Sequence, residues 1–94
     1  MNKDKIEEIL KDLDFDDIDG KIEGNRFTFT LKNSDDYAYY YTLLDQNDDL
    51  TLIDSSSVST EYLSVIKYEG ENFKVSLNAD YNKNYYNITI EDLK

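Results

Sequence analysis

The apolar positions near the start of the chain predict a helix. They recur at the spacing i, i+3, i+4 and i+7, which places them on one helical face, and they are Ile6, Ile9, Leu10 and Leu13. We predict a helix over residues 3–14 with Asn2 as its N-cap. The acidic residues that follow are unfavourable at the negative end of a helix, so the helix is expected to end near Leu13, with Phe15 and Ile18 anchoring the next loop.

The pattern then changes to the alternation that is typical of half-buried strands. Gly24-Asn25 predicts a two-residue hairpin turn between two strands within residues 20–33. Further strands are expected over 37–44 and 50–54, with Ser55-Ser56-Ser57 as a break between strands. The last two are predicted where Phe73, Val75, Leu77 and Ala79, and then Tyr86, Ile88 and Ile90, alternate with polar residues.

Residues 58–68 fit two interpretations. Val58, Tyr62, Val65 and Ile66 could form a helical face, with Gly70 as a C-terminal cap. The content of β-branched and aromatic residues favours a strand instead. A hairpin would then place Tyr68 opposite Phe73 and Ile66 opposite Val75.

These elements predict an α+β fold in a single domain, residues 1–94. One N-terminal helix packs on an antiparallel meander sheet of about six to seven strands. Short connections support antiparallel pairing, because parallel strands need long crossovers. The helix is expected to cover one face of the sheet with its apolar stripe.

The composition limits the classes of partner and the cellular locations that fit this chain. The chain has 94 residues and a formal charge of −11, with no Cys and no His. This charge repels nucleic acid and anionic membranes, and it attracts basic protein surfaces. The N-terminus lacks the apolar run of a signal peptide, and no segment has the length of a membrane span. Residues with AT-rich codons (Phe, Tyr, Met, Ile, Asn and Lys) total 40, which suggests a low-GC bacterium or its phage and a cytoplasmic location in that host.

Little in the sequence predicts catalysis. The absence of His and Cys excludes His-based triads and thiol nucleophiles, and no carboxylate pair is marked as sheltered. Asp14 to Gly20 looks like a calcium loop, but with Gly20 at its sixth position Phe15 and Arg26 occupy the first and last ligand positions. We therefore predict a protein that is not an enzyme and that needs no cofactor or metal.

The stretch Asp35–Asp54 combines the densest tyrosine cluster with six aspartates and no basic residue. Read as a strand, it places Tyr37, Tyr39 and Tyr41 on one face, and tyrosine is enriched at protein interfaces. We predict that this stretch and the acidic loop before it bind a larger basic protein that itself binds nucleic acid. The candidate partner-binding residues are Asp14, Asp16, Asp17, Asp19, Asp35, Asp36, Tyr37, Tyr39, Tyr41, Asp45, Asp48 and Asp49.

In these features the chain resembles small acidic inhibitors of phages and mobile elements, including anti-CRISPR proteins that mimic DNA. The resemblance lies in the short chain without Cys or His and in its acidic stretches, which are Asp12–Asp19, Asp35-Asp36, Asp45–Asp49 and Glu69–Glu71. It implies a non-catalytic inhibitor that occludes the nucleic-acid-binding surface of a CRISPR effector. The same features also fit an immunity protein that neutralises a basic nuclease toxin, an acidic structural domain without inhibitory role, or a cation-binding module.

Overall fold

The computed structural model of the chain describes residues 2–15, 18–58 and 63–93. Two helices and six strands are present in this part. In chain order they are α1 (Lys3–Asp12), β1 (Lys21–Glu23), β2 (Arg26–Leu31), α2 (Ser34–Asp45), β3 (Thr51–Val58), β4 (Leu63–Glu69), β5 (Phe73–Asp80) and β6 (Tyr85–Asp92). The predicted α+β class, with an N-terminal helix packed on an antiparallel sheet, is confirmed. Neither helix in the described ranges has the length and apolar composition of a membrane-spanning segment.

The strands form one antiparallel sheet in the order β1-β2-β6-β5-β4-β3. β3 to β6 are a meander, as predicted, but β2 pairs with β6 at the far side of that meander. The chain must therefore cross from β2 to the opposite edge before β3 begins. Helix α2 makes this crossing.

The buried face of the sheet carries the core. Alternate residues of β2, β5 and β6 point towards the helices, and they pack with apolar residues of α1 and α2 in one cluster. Val75, Leu77, Ile88 and Ile90 lie at its centre, without exposed surface. This arrangement leaves the other face of the sheet open, because both helices pack on the same side.

The end of α1 agrees with the prediction. The Asn2 side chain accepts a hydrogen bond from the Lys5 amide (2.8 Å), and the helix ends at Asp12 with Leu13 as its C-cap. Beyond it, the amide of Phe15 bonds the carbonyl of Leu10 (2.9 Å) and that of Asp14 bonds Lys11 (3.1 Å). This is a Schellman motif with Asp14 in the left-handed position (φ 59°), where glycine is usual.

The strand predicted over residues 37–44 is wrong, because these residues form α2. The β-propensity of the adjacent tyrosines favoured a strand, but the sequence also contains two signals for a helix. Asn33 caps the helix by accepting a hydrogen bond from the Asp36 amide (2.9 Å). The second signal is helical spacing: the buried and half-buried apolar side chains of α2 fall at i, i+3, i+6 and i+7, on one helical face, and they are Tyr37, Tyr40, Leu43 and Leu44.

We expect Asn33→Ala to destabilise the protein by about 1 kcal/mol, because it leaves the Asp36 amide without its capping acceptor. Asn33→Asp keeps an acceptor at the same position and should retain most of the stability. Urea unfolding of the two variants checks the difference. Equal losses in both would show that the cap contributes nothing.

Two further predictions need correction. Ser55-Ser56-Ser57 does not separate two strands as predicted, since β3 continues through it to Val58. The β4–β5 hairpin forms, but Tyr68 pairs with Val75 and Ile66 with Leu77, two residues from the predicted register. The reason is the position of the turn: Glu71 and Asn72 form it, one residue further along the chain than predicted, and a hydrogen bond from the Gly70 amide to the Phe73 carbonyl (3.0 Å) closes it, with Asn72 at φ 70°. A shift of two keeps every side chain on its predicted face.

The remaining strand predictions are confirmed, with one correction. The Gly24-Asn25 turn joins β1 and β2, with Gly24 at φ 59°, where glycine is favoured. Residues 63–69 are a strand, as favoured, but the predicted start of that segment at Val58 is wrong, since Val58 is the last residue of β3; residues 59–62 lie outside the described residues.

Candidate functional site

The carboxyl ends of the two helices meet at one end of the molecule. Helix α1 ends at Asp12, and α2 ends at Asp45 and is followed by Asn47. The Asn47 side-chain amide donates a hydrogen bond to the Asp12 carbonyl oxygen (3.5 Å), which ties the loop after α2 to the end of α1. Two acidic stretches that are distant in sequence are therefore neighbours.

A groove of about 570 Å³ runs through this end of the molecule. Four carboxylates from three segments line it: Glu8 and Asp12 from α1, Asp49 from the loop after α2, and Glu71 from the β4–β5 turn. Lys5 is the basic residue in its lining. We call these four residues, together with Asp14, Asp45 and Asp48, the acidic end.

The loop from Asp45 to Leu50 is held by local hydrogen bonds. The side-chain oxygen of Asn47 accepts from the Asp49 amide (2.9 Å), and the Leu50 amide bonds the Asn47 carbonyl (3.1 Å). The side chains of Asp48 and Asp49 are exposed. The backbone therefore presents these two carboxylates to solvent in a defined arrangement.

Electrostatically, the acidic end is the opposite of what helix stability favours. Each helix carries roughly half a negative charge at its C-terminal end, where basic residues are stabilising. Here Asp12 and Asp14 lie at one such end, and Asp45, Asp48 and Asp49 lie at the other. Lys11 is the basic residue in the last turn of α1, and residues 33–66 contain no Lys or Arg. The negative potentials of the carboxylates and the helix ends add.

The rest of the surface shows a different charge balance. Across the open face of the sheet, cross-strand neighbours alternate in sign along the row Glu23, Arg26, Glu91, Lys74 and Glu69. Arg26 Nε is 3.1 Å from Glu91 Oε2. By contrast, residues 2–15, 18–20 and 32–50, which form the helices and their flanking loops, carry eleven acidic residues and four lysines. The excess negative charge therefore lies on the helical side.

Aromatic side chains lie beside this charge. Tyr39 and Tyr41 are exposed on α2, with 53% and 38% of their surfaces accessible. The Tyr39 ring contacts that of Tyr40 (5.2 Å between centroids), and Tyr40 contacts Phe15 (4.8 Å). This chain of rings joins α2 to the end of α1.

Tyr37 belongs to the core rather than to the exposed surface. Its ring packs against Tyr86 and Tyr81, with centroid distances of 5.5 and 6.4 Å. Burial raises the pKa of Tyr37 to about 12, and Tyr81 adds to the shift. Ser64 acts in the opposite direction and lowers the pKa of Tyr37. Among the described residues, however, no polar atom is in hydrogen-bonding geometry with the buried hydroxyl.

Tyr68 lies at the base of the acidic end. Its hydroxyl donates to Asp45 Oδ1 (3.4 Å). Burial, and next the neighbouring Asp45 carboxylate, raise the pKa of Tyr68 to about 12. The phenol therefore remains a neutral donor to Asp45 through the physiological range.

The structure brings some of the predicted binding residues together and separates others. Asp14, Asp45, Asp48 and Asp49 are at the acidic end. Asp35 and Asp36 lie in the first turn of α2, about 14–15 Å from its other end at roughly 1.5 Å per residue. Asp19 lines a different groove, between α1 and β1. Asp16 and Asp17 lie outside the described residues.

Sequence reasoning missed Glu8, Asp12 and Glu71 as members of the site. Glu8 precedes Asp12 by four residues, so helical spacing could have placed both on one face of α1. Nothing in the sequence indicates that Glu71 lies beside them, because that contact depends on the sheet order. Among the described residues, no group of three or more acidic residues has the geometry of a metal site.

Comparisons of the chain with protein-family models, with curated proteins and with solved structures found no match.

Proposed function

We propose that this protein is a non-catalytic inhibitor of a larger nucleic-acid-binding protein. It binds through the acidic end and occludes the basic surface with which its partner holds DNA or RNA. The convergence of carboxylates on two helix C-termini carries the proposal. In a bacterial cytoplasm, CRISPR effectors are proteins of this kind, and the inhibitor would act as an anti-defence protein.

The position of the charge argues for binding rather than for solubility alone. Solubility depends on net charge, which could be placed anywhere on the surface. Carboxylates at helix C-termini lower stability by about 0.3–1 kcal/mol each, and Asp14 also occupies a backbone conformation that favours glycine. Violations of local stability rules are expected where function requires them.

The partner's chemistry follows from competition with nucleic acid. Affinity for DNA or RNA comes largely from lysine and arginine contacts to phosphates. A rigid cluster of carboxylates offers the same basic side chains an alternative partner. Tyr39 and Tyr41, exposed nearby, supply aromatic contact area of the kind that is enriched in interfaces.

The double substitution Asp48→Lys with Asp49→Lys tests the acidic end. Both side chains are exposed, and the Asn47 bond to Asp49 uses the backbone amide, so the loop should persist. We expect affinity for the partner to fall about tenfold to hundredfold, from roughly 1–3 kcal/mol of lost charge interaction. Stability should rise by about 0.5–1 kcal/mol, because lysines suit a helix C-terminus.

The measurement uses the immobilised protein to capture host proteins at low and high salt, followed by competition of the captured protein's DNA or RNA binding. Asp4→Lys with Glu7→Lys is the control: it makes the same charge change at the opposite end of α1 and should leave capture nearly unchanged. Equal losses of capture in both double variants would show that binding depends on net charge and not on the position of the carboxylates. A captured partner that keeps its nucleic acid in the presence of the inhibitor would refute occlusion.

A further inference from the structure

Strand β3 is a long, exposed edge of the sheet. It runs for eight residues and, within the part of the chain that the structure describes, pairs on one side only, with β4. Residues 51–56 are all exposed, including Leu52 (54%) and Ile53 (42%). Since an edge strand directs alternate backbone N–H and C=O groups away from its neighbour, these groups are available to another strand.

The common protections of an edge are weak here. Natural proteins shield edges with lysine, proline, bulges or very short strands. The opposite edge, β1, has three residues and an ion pair between Lys21 and Glu23 (2.8 Å). β3 contains neither Lys nor Pro. Its irregularity lies between Leu52 and Asp54, and the pairing with β4 is regular from Asp54 to Val58.

The charge around this edge indicates what kind of segment could pair with it. Asp49 precedes the strand, Asp54 lies on it, and Glu69 is across from Thr51. Lys67, which pairs with Asp54, offsets part of this charge. A recess of about 360 Å³ opens at the start of β3, lined by Asp49, Thr51, Ile53, Glu69 and Gly70. Its two carboxylates and apolar wall suit the stem and head of a lysine or arginine side chain.

We propose that β3 accepts an extended basic segment of the partner as a seventh strand of the sheet. Backbone hydrogen bonds provide the pairing, and a lysine or arginine enters the recess beside Asp49 and Glu69. This inference rests on the proposed function, since it specifies how the same basic partner is held. A second copy of the chain is a poorer occupant, because each copy carries a charge of −11.

The probe is a synthetic peptide of eight residues in which lysine and threonine alternate, matched to the length of β3. Amide hydrogen exchange is followed in the full chain. We expect exchange at alternate β3 amides to slow about tenfold at saturating peptide. The control peptide has the same sequence with an N-methyl group on every residue, which keeps the charge but removes the N–H donors of both edges. It should give no protection.

A pair of variants tests the strand itself. Successive residues of an edge strand direct their N–H groups alternately to the neighbouring strand and to solvent, so one of Ser55→Pro and Ser56→Pro should retain stability. That stable variant should lose the peptide-induced protection. Persistence of protection in it, equal protection by the methylated peptide, or a dimer in sedimentation whose formation protects β3 would overturn the inference.

This test is independent of the acidic-end experiment. If the peptide fails to protect β3 while Asp48→Lys with Asp49→Lys still weakens capture, strand addition is wrong and the proposed function stands. If the peptide binds but no captured protein loses its nucleic acid, the edge is functional and the inhibitor role is wrong.

Discussion

Replacing Leu77 by alanine is expected to remove about 2–5 kcal/mol of folding free energy. Leu77 has no exposed surface and lies between Ile66 and Ile88 on adjacent strands, with both helices above the same face. The substitution leaves a cavity that the surrounding strands cannot close without breaking their register. Since small domains have roughly 5–15 kcal/mol in total, this one change should shift the urea midpoint strongly.

The matched control is Leu52→Ala, the same chemical change at the edge of the sheet. Leu52 is more than half exposed, so its loss should alter stability by less than about 0.5 kcal/mol. A large loss at Leu52 would mean that β3 is covered in solution, which would contradict a free edge. A small loss at Leu77 would contradict the position of the core.

Alkaline pH is expected to destabilise the protein through two buried phenols. Tyr37 and Tyr68 have pKa values of about 12 in the folded protein, raised from 10.0 chiefly by burial. Between pH 10 and 12 the unfolded chain has released these protons while the folded protein keeps them. The unfolded state therefore binds fewer protons, and the free energy of unfolding falls as pH rises through this interval.

Phenylalanine variants isolate each group. Tyr37→Phe and Tyr68→Phe should each make the loss of stability above pH 10 less steep, measured by denaturant unfolding at a series of pH values. Near neutral pH, Tyr37→Phe should be neutral or slightly stabilising, because it removes a buried hydroxyl without a hydrogen-bond partner among the described residues. An unchanged slope in both variants would place the alkaline transition on other groups.

The candidate site was predictable only in part. Asp14, Asp45, Asp48 and Asp49 were selected from the sequence because acidic runs beside aromatic residues are visible in the chain itself. Tyr37 was chosen on the assumption that it lies on a strand, whereas in the helix its side chain points into the core. The groove could not be anticipated, since Glu8, Asp49 and Glu71 come from segments that meet only when α2 and the β4–β5 turn are in place.

By itself, the sequence determined the elements whose periodicity is unambiguous. The stripe of α1, the Gly24-Asn25 hairpin and the alternation of β5 and β6 follow from local sterics and from the need to bury one face. Their apolar faces also specified the interior, because a side chain that alternates into the core stays there even when register shifts by two.

Only the tertiary structure decided that residues 34–45 form a helix and in which order the strands pair. Tyrosines suit a strand locally, but β2 pairs with β6, and the chain must then reach the opposite edge four strands away. Four strand spacings of roughly 4.8 Å come to about 19 Å, close to the length of α2 at about 1.5 Å per residue. The pairing of distant strands thus favours a helix here, and that helix brings its acidic end to the end of α1.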